Sequence, residues 1–239
     1  MQEFTSRRRL VVAAGVGFAA TALGGCQWRG GEPEGEVTAN EDLMREHGVI
    51  RRVLFVYAEA SRRARRDPAS IPLPSLLDTA RLFRVFAEDY HERGLEEAHI
   101  FPMVRALPLP AARLPDVLLA QHRRGREITD YVLRIAAGSA LAPAEAGRFA
   151  DTLDALVGMY GPHTAYEDTE LFPAWKAALG EKGYDEMGDK FEQLERQMFG
   201  HDGFEDALNR IAKIETAFGL GDLAAVTAPP PPTPPPSTA

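Results

Sequence analysis

EDYHERGLEEAHIFP, residues 88–102, is the stretch on which the reading of the chain turns. It carries His91, the neighbouring pair Glu96 and Glu97, and His99, and it closes in Ile-Phe-Pro. Residues 163–173, HTAYEDTELFP, echo it 71 residues later. In both, a Glu stands five residues before the Phe of a Phe-Pro pair: Glu96 before Phe101 and Glu167 before Phe172. A His precedes that Glu by five residues in the first copy (His91) and by four in the second (His163). Positions four apart lie one turn apart on one helix face. Each stretch therefore aims an imidazole and a carboxylate at the same point, and two such helices facing each other make one pocket.

Working outward, the 239 residues allow one or two domains. With the chain ends set aside, about 180 residues remain, enough for one real core. A net charge of −8 argues against nucleic acid as a partner, because phosphate binding needs a basic face. Cys26 is the single cysteine, which excludes an intrachain disulfide and any Cys-rich zinc site.

The start of the chain reads as an export signal over residues 1–25. Arg7-Arg8-Arg9 precedes an uncharged run from Leu10 to Gly25. As a helix that run spans about 24 Å, short of the roughly 30 Å of a bilayer core, so it fits a signal peptide better than a membrane span. Arg7-Arg8 resembles a twin-arginine signal. Leu23-Gly24-Gly25-Cys26 resembles a bacterial lipobox, which makes Cys26 the lipidation site and residues 26–39 a Gly/Glu-rich tether. The expectation is an exported lipoprotein, held at the membrane through Cys26 in the periplasm or at the cell surface.

Four long helices are expected within residues 40–226. Helix A opens at Asn40 as N-cap and runs to about Arg66, with Leu43, His47, Ile50, Leu54 and Tyr57 on one stripe. Helix B starts near Ser75 and carries Phe83, Phe86, Tyr90 and His91; Gly94 lies between His91 and Glu96, and a π-bulge there keeps the two on one face. Helix C, from about Pro115 to Ala137, carries Leu118, His122 and Val132. Helix D carries Leu153, Leu156, His163 and Glu167, and Pro162 is expected to free the carbonyl of Gly158 and kink the axis. Two shorter helices follow, about 184–199 and 203–218, then a Pro-rich tail over 227–239 expected to be disordered or polyproline II. The fold class is all-α: an up-down-up-down four-helix bundle with two shorter C-terminal helices and disordered ends.

Each long helix thus offers one inward His: His47, His91, His122 and His163. Their spacings, 44 residues from A to B and 41 from C to D, read as two copies of one hairpin. Packed antiparallel, the hairpins bring these imidazoles together with Glu96 and Glu167 at the bundle centre. Six such groups are costly to bury without a counter-charge. Two iron ions satisfy them, whereas zinc prefers a closed tetrahedron of four ligands.

These residues carry a resemblance. His47, HERGLEEAHIFP (91–102), QHRRGREITDYV (121–132) and HTAYEDTELFP (163–173) are similar to the hemerythrin-like, or HHE cation-binding, family. The likeness runs over about 41–226, and residues 200–223 look like the C-terminal extension of a bacterial subgroup. It implies a four-helix bundle around two iron ions bridged by oxo or hydroxo. The metal ligands it implies are His47, His91, Glu96, His122, His163 and Glu167. The family's oxygen carriers have a further His four residues after the helix-C ligand, where this chain has Arg126. Glu97 rivals Glu96 because of the five-residue spacing on helix B. His99 is a further ligand, a hydrogen-bond partner behind the ligands, or an exposed residue.

Two functions follow as leading expectations. One is a binding protein for dioxygen or a related small ligand, or an iron buffer. The other is an enzyme acting on peroxide or oxygen, with Arg126 behind the ligands stabilising a bound anion. A ferritin-like iron oxidase ranks third: Glu88-x-x-His91 and Glu96-x-x-His99 repeat its motif, but on one helix rather than two.

Overall fold

The computed structural model describes residues 37–229. The leader, Cys26, most of the proposed tether and the tail beyond residue 229 lie outside the described residues. Those described are helical and contain no strand. None of their helices is long and apolar enough to cross a membrane.

Helix α1 (Ala39–Arg66) begins two residues earlier than a cap at Asn40 predicts. The cap is Thr38, whose hydroxyl accepts from the Glu41 amide, while Asn40 is already inside the helix, its amide bound to the Tyr184 hydroxyl. Acidic residues open this helix and Arg63, Arg65 and Arg66 close it, each sign matched to the helix dipole. The predicted stripe is buried throughout, His47 included.

The second long helix starts at Leu73, two residues before Ser75. It runs from α2 (Leu73–Leu82) through a π-helical stretch (Phe83–Ile100) into a closing turn, α3 (Phe101–Arg105). The expected single bulge at Gly94 is therefore a π stretch of eighteen residues. A short connection leads to α4 (Leu114–Ala136), close to the expected limits.

Helix α5 (Pro143–Tyr166) continues through Pro162 and passes into a π turn (Glu167–Leu171). The departure from α geometry thus comes at Glu167, after the proline. Next is α6 (Phe172–Phe199), which holds a break at Gly180, where φ is +65°. A residue with a side chain is strained in that conformation, so glycine marks the bend. Gly200, also left-handed, ends α6, and Asp202 caps α7 (Gly203–Ala217).

Helix α1 packs along α5, α2 along α4, and α4 along α5, while the π stretch lies against α1, α4 and α6. Between these elements sits one core. Helix α7 closes one side of it: Ile211, Ile214 and Phe218 are buried, Arg52 clasps Glu215, and Arg63 donates to the Phe218 carbonyl. Met198, near the end of α6, is exposed.

One glycine is fixed by close approach. A Cβ at Gly125 on α4 would lie 2.2 Å from the Tyr160 hydroxyl of α5. Gly125→Ala should therefore destabilise the fold by about 1–3 kcal/mol through overpacking. In a Tyr160→Phe background the same change should cost distinctly less, as a urea double-mutant cycle will read.

Candidate metal centre

Four elements meet at the middle of the bundle, each bringing an imidazole or a carboxylate. His47 comes from α1, His91 and Glu96 from the π stretch, His122 from α4, and His163 and Glu167 from α5 and its π turn. All six are buried. The helix register explains the two spacings. His163 and Glu167 share a face at four residues in α geometry. His91 and Glu96, five apart, share one because the backbone between them is π-helical. In both copies the amide of the Phe bonds the carbonyl of the Glu five residues back, Phe101 to Glu96 and Phe172 to Glu167.

The imidazoles meet in two pairs. The Nε2 atoms of His47 and His91 are 3.0 Å apart, and those of His122 and His163 are 3.2 Å apart. Each carboxylate spans both pairs. Glu96 faces His91 with Oε1 and His122 with Oε2, at 3.4 Å each. Glu167 faces His47 with Oε2 at 3.4 Å and His163 with Oε1 at 3.2 Å. Two three-residue sets, His47–His91–Glu96 and His122–His163–Glu167, place their donor atoms within 4.8 Å of one another.

Behind the imidazoles runs a closed ring of hydrogen bonds. His91 Nδ1 is 2.6 Å from Glu46, His122 Nδ1 is 2.9 Å from Glu97, His163 Nδ1 is 2.8 Å from Gln121 Oε1, and His47 Nδ1 is 2.6 Å from Asp168. Each acceptor is the sequence neighbour of an inward group on another helix: Glu46 of His47, Glu97 of Glu96, Gln121 of His122, Asp168 of Glu167. These oxygens accept only, so each Nδ1 is the donor, and each neutral imidazole turns an Nε2 lone pair inward. Arg51 anchors Asp168 from outside.

Facing lone pairs on the His122 and His163 Nε2 atoms, 3.2 Å apart, repel, and unpaired buried carboxylate oxygens are costly. All four oxygens of Glu96 and Glu167 are buried without a hydrogen-bond partner. Burial pushes the Glu167 pKa up to about 8 and raises that of Glu96, which Glu167 raises further. It pushes His47 down to about 3 and His122 and His163 to about 4. Burial opposes a proton on His91 too, but Glu96 and Glu46 outweigh it and hold its pKa well above the ordinary value. The pocket calls for positive charge between the imidazole pairs, and metal cations fit the donor set present.

The remaining sequence candidates fall outside this inner set. Glu97 accepts from His122 and from Arg126 at 2.8 Å, so it stands behind the imidazole rather than rivalling Glu96. Arg126 also reaches Glu92 at 3.2 Å. It thereby fills with a guanidinium the space where Glu92, Glu97 and His122 form a third donor group. His99 lies away from the centre, against Lys190 and Phe191. Tyr90 donates to Glu46, whereas Tyr166 is exposed. Sequence reasoning missed Glu46, Asp168 and Gln121, as well as Glu92, which accepts from Tyr160 at 2.6 Å. Adjacency to His47, Glu167, His122 and His91 was the available signal.

Residues 38–175 match the family described as Hemerythrin HHE cation binding domain. Among curated proteins, the uncharacterized proteins Rv1995 of Mycobacterium tuberculosis and Mb2018 of Mycobacterium bovis are each 40% identical over 200 residues. Those matches cover 82% of this chain and 76% of each relative. No solved structure matches.

The shifted groups set a pH dependence for the metal-free protein. Glu167 keeps its proton in the folded chain to about pH 8, far above its unfolded value of 4.5. This contribution is complete below the unfolded pKa and is lost as pH rises toward the folded one. The raised pKa of His91 acts with the same sign above 6.5. His47, His122 and His163, shifted downward, act with the opposite sign, but only below 6.5. Urea midpoints of metal-free protein should therefore fall as pH rises from about 6.5 to about 8. Glu167→Gln should reduce that slope.

Proposed function

The chain belongs to the hemerythrin HHE cation-binding domain family, and from that premise we propose that it is a di-iron protein that binds a small molecule. His47 and His91 hold one iron and His122 and His163 the other. Glu96 and Glu167, each facing an imidazole of both pairs, would be shared by the two ions, with oxo or hydroxo as the further ligand of the cofactor. The observation that carries this reading is the set of four buried, unpartnered carboxylate oxygens, each facing an imidazole Nε2. The packing order of the long helices supports the up-down-up-down arrangement.

Iron held at these positions would supply a redox-active Lewis acid for a small ligand. The chain's own residues do the rest. The ring Glu46–His91, Glu97–His122, Gln121–His163 and Asp168–His47 fixes each imidazole tautomer and aims each Nε2. The apolar core around them excludes water. Two imidazoles serve each ion, and Arg126, at the place of the carriers' extra His, is engaged by Glu92 and Glu97. That symmetry supports binding or sensing of dioxygen or a related molecule, or buffering of iron, over the asymmetric centre of a carrier.

The enzyme reading gave Arg126 the task of stabilising a bound anion. Two carboxylates already take up that guanidinium, which weighs against the task. The ferritin-like reading needs His99 at the centre, and His99 lies against α6. The twin-arginine segment and Cys26 support an exported lipoprotein with the centre outside the cytoplasmic membrane.

Protein purified from iron-rich medium should carry two irons per chain and form a reversible absorption band with oxygen or azide. Retention of zinc alone, or of no metal, would sink the reading. Asp168→Ala should weaken metal affinity by about 10–100-fold while leaving the helical circular dichroism intact. Metal titration followed by calorimetry measures that loss. Metal saturation should also raise the melting temperature, because ligand at about 1,000 times its Kd contributes about 4 kcal/mol to the folded state. Differential scanning calorimetry with and without a chelator checks this.

A further inference from the structure

The two imidazole pairs are alike in their inward atoms and unlike in what stands behind them. His47 and His91 each donate from Nδ1 to a carboxylate, Asp168 and Glu46, at 2.6 Å. In both carboxylates the further donor sits on the other oxygen: Arg51 meets Oδ2 of Asp168, and the Tyr90 hydroxyl meets Oε1 of Glu46. His122 and His163 are backed more weakly. His122 donates to Glu97 Oε1 at 2.9 Å, and Arg126 donates to that same oxygen at 2.8 Å. His163 donates to the neutral amide oxygen of Gln121 at 2.8 Å. Glu92 lies 3.9 Å from His122 Nδ1, too far for a hydrogen bond, and is taken up by Tyr160 and Arg126. Burial widens the contrast: the Glu46 and Asp168 side chains are 1% and 10% exposed, that of Glu97 22%.

A carboxylate that accepts from Nδ1 raises the basicity of the ring and makes Nε2 a better donor to a cation. An amide does so less, and so does an oxygen shared with a guanidinium. Resting on the di-iron reading above, we propose that the centre fills in a fixed order: His47 and His91 hold the first metal ion tightly, His122 and His163 hold the second loosely, and Gln121 is the positioning residue that sets the difference. Glu96 and Glu167 face both pairs and so do not discriminate between them. A proton on His91 competes in the metal-free chain, but a divalent cation carries twice its charge and gains more from the same carboxylates. Scarce metal then leaves one ion per chain and abundant metal two. Occupancy of the His122–His163 position follows metal supply, which is what buffering of iron requires.

The test is an anaerobic calorimetric titration of the metal-free full chain with ferrous iron and, separately, with cobalt(II). The parent should bind two ions in two steps whose Kd values differ by about tenfold or more, the range that groups behind a ligating imidazole command. Gln121 is half-buried, so Gln121→Glu keeps its size and its acceptor and adds the missing carboxylate. It should tighten the weaker step about tenfold and leave the stronger within about twofold. Asp168→Asn removes a charge at constant shape and should weaken the stronger step instead. Damage to packing does not tighten a site, so the Gln121 result separates electronic backing from a merely structural role.

A chelator added to the loaded protein should likewise remove one ion per chain ahead of the other, and Gln121→Glu should slow that early release. Two ions of equal affinity in the parent, or a Gln121→Glu chain whose weaker step does not tighten, overturns the proposal while leaving two irons in place. Absence of iron binding alongside two-step, Gln121-dependent cobalt binding overturns the di-iron reading and keeps the unequal backing. Binding of neither metal overturns both.

Discussion

Charge burial governs this molecule. Two glutamates and four histidines occupy the middle of a helical core, where water cannot solvate them. An ionised carboxylate without a partner is among the most expensive groups to bury. Four oxygens of Glu96 and Glu167 stand in that position, opposite the inward Nε2 atoms of four imidazoles. Cations held by this donor set would turn it from a liability into a cross-link between four helices. The stability of the bundle and the chemistry of its centre are therefore one problem with one solution.

The ring of hydrogen bonds behind the imidazoles is the second part of that solution. Each helix that points a group inward uses the adjacent residue to hold an imidazole of another helix. Adjacent residues on a helix point about 100° apart. One therefore faces the centre while the next faces along the perimeter, toward the neighbouring helix. The arrangement couples helix rotation to imidazole orientation: turning any one helix would misplace its own ligand and release its neighbour's. The π stretch belongs to the same logic. His91 and Glu96 are one residue too far apart for an α-helix, and the widened register restores their common face.

The C-terminal part of the chain supports the bundle from outside. α7 lays Ile211, Ile214 and Phe218 on the core and ties itself to α1 through Arg52 and Arg63. Arg63 shows how composition misleads. It lies in an arginine-rich helix end that composition alone would place in solvent, yet it reaches across to the Phe218 and Ser70 carbonyls. A guanidinium carries enough donors to serve a helix terminus and a second element together.

Periodicity and spacing were enough to reveal the all-helical class, the limits of α4, the buried stripe of α1 and the six inward groups. Those are local properties: a residue's face follows from its number along a helix. The extended π register was legible only as one extra residue at Gly94, because helix width depends on hydrogen bonds along the whole segment. The cap at Thr38, the ring partners Glu46, Gln121 and Asp168, and the niche that Gly125 leaves for Tyr160 were decided by tertiary packing. Each joins residues on different helices, or an end whose first turn is fixed by what it packs against. His99 and Glu97 make the same point from the other side: sequence put both beside Glu96. Rotation of the helix against its neighbours sent one toward α6 and the other behind His122.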